Sequence, residues 1–153
     1  MSDAKGIREL VMYHAQQNKM LPRSWHYIYE NLRDFYVCVD SQDRVVACGA
    51  LHISWENLAE VKSVAVSADL MGRGLGRKVV RACLDEAVKL GVPRIFALTF
   101  TPGFFKKMGF TEIDKNDLPH KVWSECVECP LFPDCGEIGL ALDLDLATSK
   151  ESP

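Results

Sequence analysis

The chain has 153 residues, of which 48% are hydrophobic and 25% charged, a composition that suits one packed domain and leaves too little chain for two. Lys plus Arg number 18 against 21 Asp plus Glu, a net charge of −3, which argues against a nucleic-acid duplex as partner. No run of about eighteen apolar residues is available to span a membrane, and MSDAKGIREL lacks the apolar core of a signal peptide, so a cytoplasmic location is expected.

Ser2 and Asp3 are candidate caps for a first helix whose inward positions Ile7, Leu10, Val11 and His14 recur at three- and four-residue spacing, ending before Asn18. Ser24 is placed to cap a second, short helix through WHYIYENL. FYVCVD and RVVACGALHIS read as two strands of a hairpin joined at SQD, and EVKSVAV as a third strand. From Gly74 to Leu90, Leu75, Val79, Val80, Cys83, Leu84, Ala87 and Val88 form one helical stripe, and Gly91 supplies the stop. RIFALTF is a buried strand, PGFFKKM a short helix opened by proline, GFTEI a further strand and EIGLALDL the last. Residues 1–146 are expected to form one domain, with ATSKESP, residues 147–153, a disordered tail.

Six cysteines are present. In a reducing compartment Cys38, Cys48 and Cys83, set in apolar segments, serve as small core side chains. Cys126, Cys129 and Cys135, with His120 upstream, could reach a single zinc ion through Cys-x-x-Cys spacing. A second Cys-x-x-Cys pair is lacking, and Pro130 and Pro133 can order the loop unaided, so no metal ligand is assigned there and the loop is taken as reduced or redox-labile.

Between EVKSVAV and the long helix, SADLMGRGLGRKVV sets Gly72, Gly74 and Gly76 on the way into a helix start. Small residues let main-chain N–H groups approach an anion, and the unpaired donors and positive dipole end of the helix favour a diphosphate, with Arg73 and Arg77 adding charge. Neither G-x-x-x-x-G-K-[ST] nor a first-strand G-x-G-x-x-G is present, which turns the reading away from nucleoside triphosphatases and Rossmann dehydrogenases.

VKSVAVSADLMGRGLGRKVV resembles the acetyl-CoA-binding motif of the GNAT acetyltransferases, Q/R-x-x-G-x-G/A, with Met71 in place of the Gln or Arg. FFKKMGF is similar to the family's aromatic-x-x-x-Gly-Phe signature. The resemblance runs from about Gly6 to Leu144. It implies a mixed α/β fold: a central sheet splayed between the fourth and fifth family strands, here EVKSVAV and RIFALTF, with flanking helices and no counterpart of the first family strand. It also implies acetyl-CoA as cosubstrate, held by Val64, Ala65, Val66, Gly72, Arg73, Gly74, Leu75, Gly76, Arg77 and Phe105. A main-chain N–H in the Val64 to Val66 stretch would steady negative charge on the thioester carbonyl oxygen.

Acetyl transfer to an amine requires a neutral nitrogen, so a base must take a proton from the ammonium. Glu60, opening EVKSVAV, is the candidate base by similarity to superfamily members with Glu at that point. Phe105 stands where many members carry a tyrosine that protonates the departing thiolate, so no tyrosine acid is expected. LPRSW, the DFYVCVD to CGAL hairpin, LTFTPGFFKKMGF and LPHK together look like the acetyltransferase domain of bacterial N-acetylglutamate synthases, here without an amino-acid-kinase domain. That implies L-glutamate as acceptor and the first step of arginine biosynthesis.

Two carboxylates on the acceptor call for at least two fixed cations or backbone nests. Arg23, followed by Ser24, matches a family acceptor position. Lys62 lies two residues beyond Glu60 on the same strand face, and Lys121 is a third candidate. His52 replaces a more usual lysine, and the last strand lacks the Arg-Asn-Ser pattern of the long synthases. The alternatives are acetylation of another amino acid or small amine, a noncatalytic acetyl-CoA-binding regulator, and a zinc-organised interaction module. The remaining partner question is self-association, with a homodimer open.

Overall fold

The computed structural model describes residues 1–118 and 137–146. Four helices and six strands follow in the order α1 Ala4–Gln16, α2 Trp25–Glu30, β1 Phe35–Val39, β2 Val45–Trp55, β3 Leu58–Val66, α3 Leu75–Leu90, β4 Arg94–Thr99, α4 Pro102–Lys107, β5 Thr111–Ile113 and β6 Ile138–Asp143. The strands form one mixed sheet in the order β1-β2-β3-β4-β6-β5. Only β3 and β4 pair in parallel, joined by the α3 crossover, and every other neighbouring pair is antiparallel. Among the described residues no strand precedes α1, as expected. The proposed tail and the loop carrying His120, Lys121, Cys126, Cys129 and Cys135 lie outside the described residues.

Each face of the sheet has its own cover. Leu51, Ala59 and Val61 pack with the α3 stripe, where Val80, Cys83, Leu84 and Ala87 are buried. On the opposite face, Ile7 and Val11 of α1 and Ile28 of α2 cover Cys48 and Ala65. A third cluster, Leu58, Phe96, Leu118 and Ala141, lies farther along the sheet. Gly74 and Gly91 flank α3 with φ of 81° and 78°, left-handed values that glycine adopts without a Cβ penalty. Ser24 caps α2 by accepting from the Tyr27 amide at 3.0 Å. Asp3 departs from expectation: it is in helical conformation and makes no side-chain cap. Cys48 and Cys83 are buried and Cys38 is partly so.

Close packing of α3 on β2 depends on Gly49. A Cβ there would lie 2.5 Å from Val79 Cγ1 and 3.3 Å from Val64 Cγ2. Gly49→Ala is expected to destabilise the fold by about 1–3 kcal/mol through overpacking and to lower Tm by several degrees, read by thermal unfolding; an unchanged Tm would show that α3 shifts freely on the sheet.

Burial pushes the Cys48 and Cys83 thiols from their ordinary 9.0 up to about 12. Because the folded chain keeps protons that the unfolded chain releases, stability is retained below pH 9 and falls as pH rises from 9 towards 12. Urea unfolding at pH 8 and pH 10 should show this loss, and a Cys48→Ala, Cys83→Ala double variant should lose less over the same interval.

Candidate active site

The site begins where β3 leaves β4. Parallel pairing is confined to Leu58, Ala59 and Glu60 opposite Arg94, Ile95 and Phe96. Beyond it a cavity of about 250 Å³ opens between Val61–Val66 of β3 and Leu98–Thr101 at the end of β4. This is the splay expected between EVKSVAV and RIFALTF. Main-chain groups turned towards the gap lose their ladder partners there and can serve a ligand.

β3 is bent at the same place. Its register against β2 shifts between Cys48 and Ala50, so that one residue more is used on β3 than on β2. Ser63 carries the distortion, with φ of 57°, a left-handed value uncommon for a non-glycine residue. The Ser63 carbonyl accepts from the Cys48 thiol at 3.5 Å. Farther on, His14 of α1, 6% exposed, donates from Nε2 to the Val66 carbonyl at 2.7 Å. A carbonyl can only accept, so the proton sits on Nε2. α1 thereby holds the free end of β3.

The residues expected to hold acetyl-CoA divide into two groups. Val64, Val66, Gly76 and Phe105 line the cavity, as does Met71. Phe105 does so as a core wall, 5% exposed and edge-packed on Phe104 and Phe110. Ala65 points into the α1 cluster and leaves only its main chain for a ligand. Gly72, Arg73, Gly74, Leu75 and Arg77 form the turn and the start of α3 at the cavity mouth. Gly72 and Gly74 have φ of 82° and 81° with open space where a Cβ would stand, whereas a Cβ on Gly76 would come within 3.3 Å of the Phe104 ring. Conformation requires the first two glycines, and close packing the third. The exposed N-terminal amides of α3 and the neighbouring Arg73 and Arg77 thus fit a diphosphate, and the cavity fits the arm beyond it.

Glu60 differs from expectation in placement. It is the third residue of β3, not its first, and is 8% exposed inside the sheet, paired with His52 of β2 and Phe96 of β4. Glu60 and Lys62, 6% exposed, share the face that α1 and α2 cover, and neither is without a partner. Glu60 stands just before the cavity wall, which Lys62 joins. His52 Nδ1 meets Asp34 Oδ2 at 3.3 Å, so the side chain in the usual lysine position is engaged by a carboxylate on the strand next to Glu60.

Arg23 and Lys62 meet at a ring that sequence reasoning did not single out. Arg23 Cζ lies 4.3 Å and Lys62 Nζ 5.2 Å from the centroid of Tyr27. Ser24 is exposed, its hydroxyl occupied in capping α2. Arg23 Nε, the Tyr27 hydroxyl and Ser63 Oγ are buried without a hydrogen-bond partner among the described residues. Tyr27 and Ser63 gave no motif signal. The stagger of WHYIYE marks an amphipathic turn, and a serine inside a strand pattern does not disclose a bulge.

Gly74→Ala is expected to cost about 1–2 kcal/mol in conformational strain and to raise the Kd for CoA about tenfold by moving the first amides of α3. Titration of CoA checks this; an unchanged Kd would remove the glycine turn from cofactor binding.

Known proteins with this architecture fall in line. An uncharacterized N-acetyltransferase of Chlorobaculum tepidum is 36% identical over 94% of this chain and 92% of its own. An amino-acid acetyltransferase of Mycobacterium tuberculosis is 36% identical over 97% of this chain and 83% of its own. A crystal structure of a Mycobacterium tuberculosis protein in complex with CoA and NLQ superposes with a TM-score of 0.81 at 31% identity, covering 94% of this chain and 95% of that one. N-acetylglutamate synthase from Neisseria gonorrhoeae, complexed with coenzyme A and N-acetyl-glutamate, has the same fold, with a TM-score of 0.85 at 22% identity over 95% of this chain and 34% of that one. Residues 7–110 match the acetyltransferase (GNAT) family, and the chain, splayed sheet and glycine turn included, belongs to it.

Proposed function

We propose that this acetyltransferase moves an acetyl group from acetyl-CoA to the α-amine of L-glutamate, the first step of arginine biosynthesis. The observation that carries this reading is the pair of buried ionisable side chains, Glu60 and Lys62, on one face of β3 where it parts from β4. An apolar sheet face bears a carboxylate and an ammonium at a cost that function can explain. The relatives named amino-acid acetyltransferase support the acceptor class.

Acetyl-CoA supplies the activated acyl group. The α3 N-terminus, with Arg73 and Arg77, holds its diphosphate, and Val64 and Val66 flank the arm. Glu60 takes the proton from the acceptor ammonium, through an intervening water where the reach from the sheet face requires one. Main-chain N–H groups of the Val64 to Val66 stretch face the developing negative charge on the carbonyl oxygen. Arg23 and Lys62 bind acceptor carboxylate. Phe105 offers no proton, so the thiolate leaves without a tyrosine acid.

Thiol release from acetyl-CoA, measured with each L-amino acid, tests the function. L-Glutamate should give the highest kcat/KM; a higher value for another amino acid would reassign the acceptor, and no release with any would end the catalytic reading. Glu60→Gln should lower kcat about 10²–10⁴-fold, the range for a lost general base, with thermal stability checked in parallel. Arg23→Ala should raise the glutamate KM about tenfold or more, while the acetyl-CoA KM stays close to that of the parent.

A further inference from the structure

The polar groups buried without partners identify which part of the acceptor the pocket reads. Arg23 Nε, the Tyr27 hydroxyl and Ser63 Oγ each lack a hydrogen-bond partner among the described residues, although buried polar groups in native proteins are almost always satisfied. Ser63 is 8% exposed and lines the cavity. Lys62, its neighbour, lines the same cavity and stands over the Tyr27 ring, on which Arg23 also rests. A continuous set of donors therefore leads from the cavity wall to Tyr27.

The ring has a particular virtue as a support for cations. A carboxylate in its place would neutralise charge and occupy N–H donors. An aromatic face attracts a cation through its quadrupole and accepts no conventional hydrogen bond. Arg23 and Lys62 are thus held in position with their charge available to an anion. The Tyr27 hydroxyl, at the ring edge, adds a neutral donor close to both.

We propose that Tyr27 determines acceptor specificity: its ring positions Arg23 and Lys62, and its hydroxyl donates to the acceptor's α-carboxylate, selecting α-amino acids over amines that lack this group. The inference rests on the amino-acid reading above. The α-carboxylate is the assigned group because it shares a carbon with the reacting amine. An amine reaching the cavity at the strand parting brings its α-carboxylate to the wall formed by Lys62 and Ser63, whereas the side chain is free to extend away. The pocket at Tyr27 accordingly separates amino acids from simple amines, and discrimination among amino acids falls to other residues.

Calorimetric titration of the CoA-loaded protein with L-glutamate and with its α-amide tests this without requiring turnover. The parent protein should bind the α-amide about tenfold or more weakly, the loss expected for hydrogen bonds to a charged group. Tyr27→Phe keeps the ring and removes the hydroxyl. It should raise the glutamate Kd by about tenfold and shrink the glutamate-to-amide ratio, leaving CoA affinity unchanged. Tyr27→Leu, which also removes the support, should weaken glutamate further. Equal binding of acid and α-amide by the parent, or an unaltered ratio in Tyr27→Phe, overturns the assignment. If the amino-acid panel identifies another acceptor, that acid and its own α-amide take the place of the pair, so the choice of glutamate can fail alone. Binding of no L-amino acid at all would remove both readings.

Discussion

The parting of β3 from β4 after Glu60 governs the rest of the molecule. In a parallel pair each strand satisfies its neighbour's amides and carbonyls, and ending that ladder while both strands continue exposes main-chain groups within the fold. The pairing covers three residues on each strand, although β3 runs on to Val66 and β4 to Thr99. Such an opening persists only if the strands are secured elsewhere. β2 holds β3 from one side up to Val66, and β6 holds β4 along its length from Arg94 to Thr99. His14 adds a bond to the Val66 carbonyl, and the Ser67 amide donates to the Val46 carbonyl at 2.8 Å. The gap is therefore a fixed feature between two anchored half-sheets.

Anchoring on two sides also explains the distribution of charge. Residues of β3 that face α3, such as Ala59 and Val61, complete an apolar core. On the opposite face Glu60 and Lys62 lie between the cluster of α1 and α2 and the cluster of Leu58, Phe96 and Leu118. Apolar surroundings on both sides reduce screening and strengthen the field each charge exerts on a bound group. They also penalise the charges until partners are found, which ties the site's polarity to the ligand it is built to hold.

Features written in local chemistry were legible in the sequence. The α3 stripe, its flanking Gly74 and Gly91, the proline at the start of α4 and the Ser24 cap all rest on interactions within a few residues, and the structure has each of them. The glycine turn was readable for the same reason. Features that depend on what lies across the sheet were not. Glu60 was expected at a strand opening because the hydrophilic look of residues 54–57 obscures that the strand already begins at Leu58. The bulge at Ser63 arises from a register mismatch with β2, to which no residue in EVKSVAV alone testifies. Tyr27 read as one aromatic of a short amphipathic helix, and its importance comes from Arg23 and Lys62, four residues before it and on a strand far along the chain.

The same division separates the two halves of the site. The cofactor side consists mainly of backbone: the turn at Gly72 and Gly74, the first amides of α3 and the loosened segment of β3. Backbone groups are indifferent to side-chain identity as long as the conformation is allowed, which is why Met71 in place of Gln or Arg leaves this half of the machinery in place. The acceptor side consists of side chains brought by α2, β2 and β3, among them Arg23, Tyr27, His52 and Lys62. Each can change without disturbing the sheet, and each change alters charge or hydrogen-bonding capacity at one point. His52 illustrates the consequence: engaged by Asp34, it presents a different charge pattern beside Glu60 from that of a lysine. Reaction type is thus held by the conformation of the chain, whereas the choice of acceptor rests on a few side chains that the fold leaves free to vary.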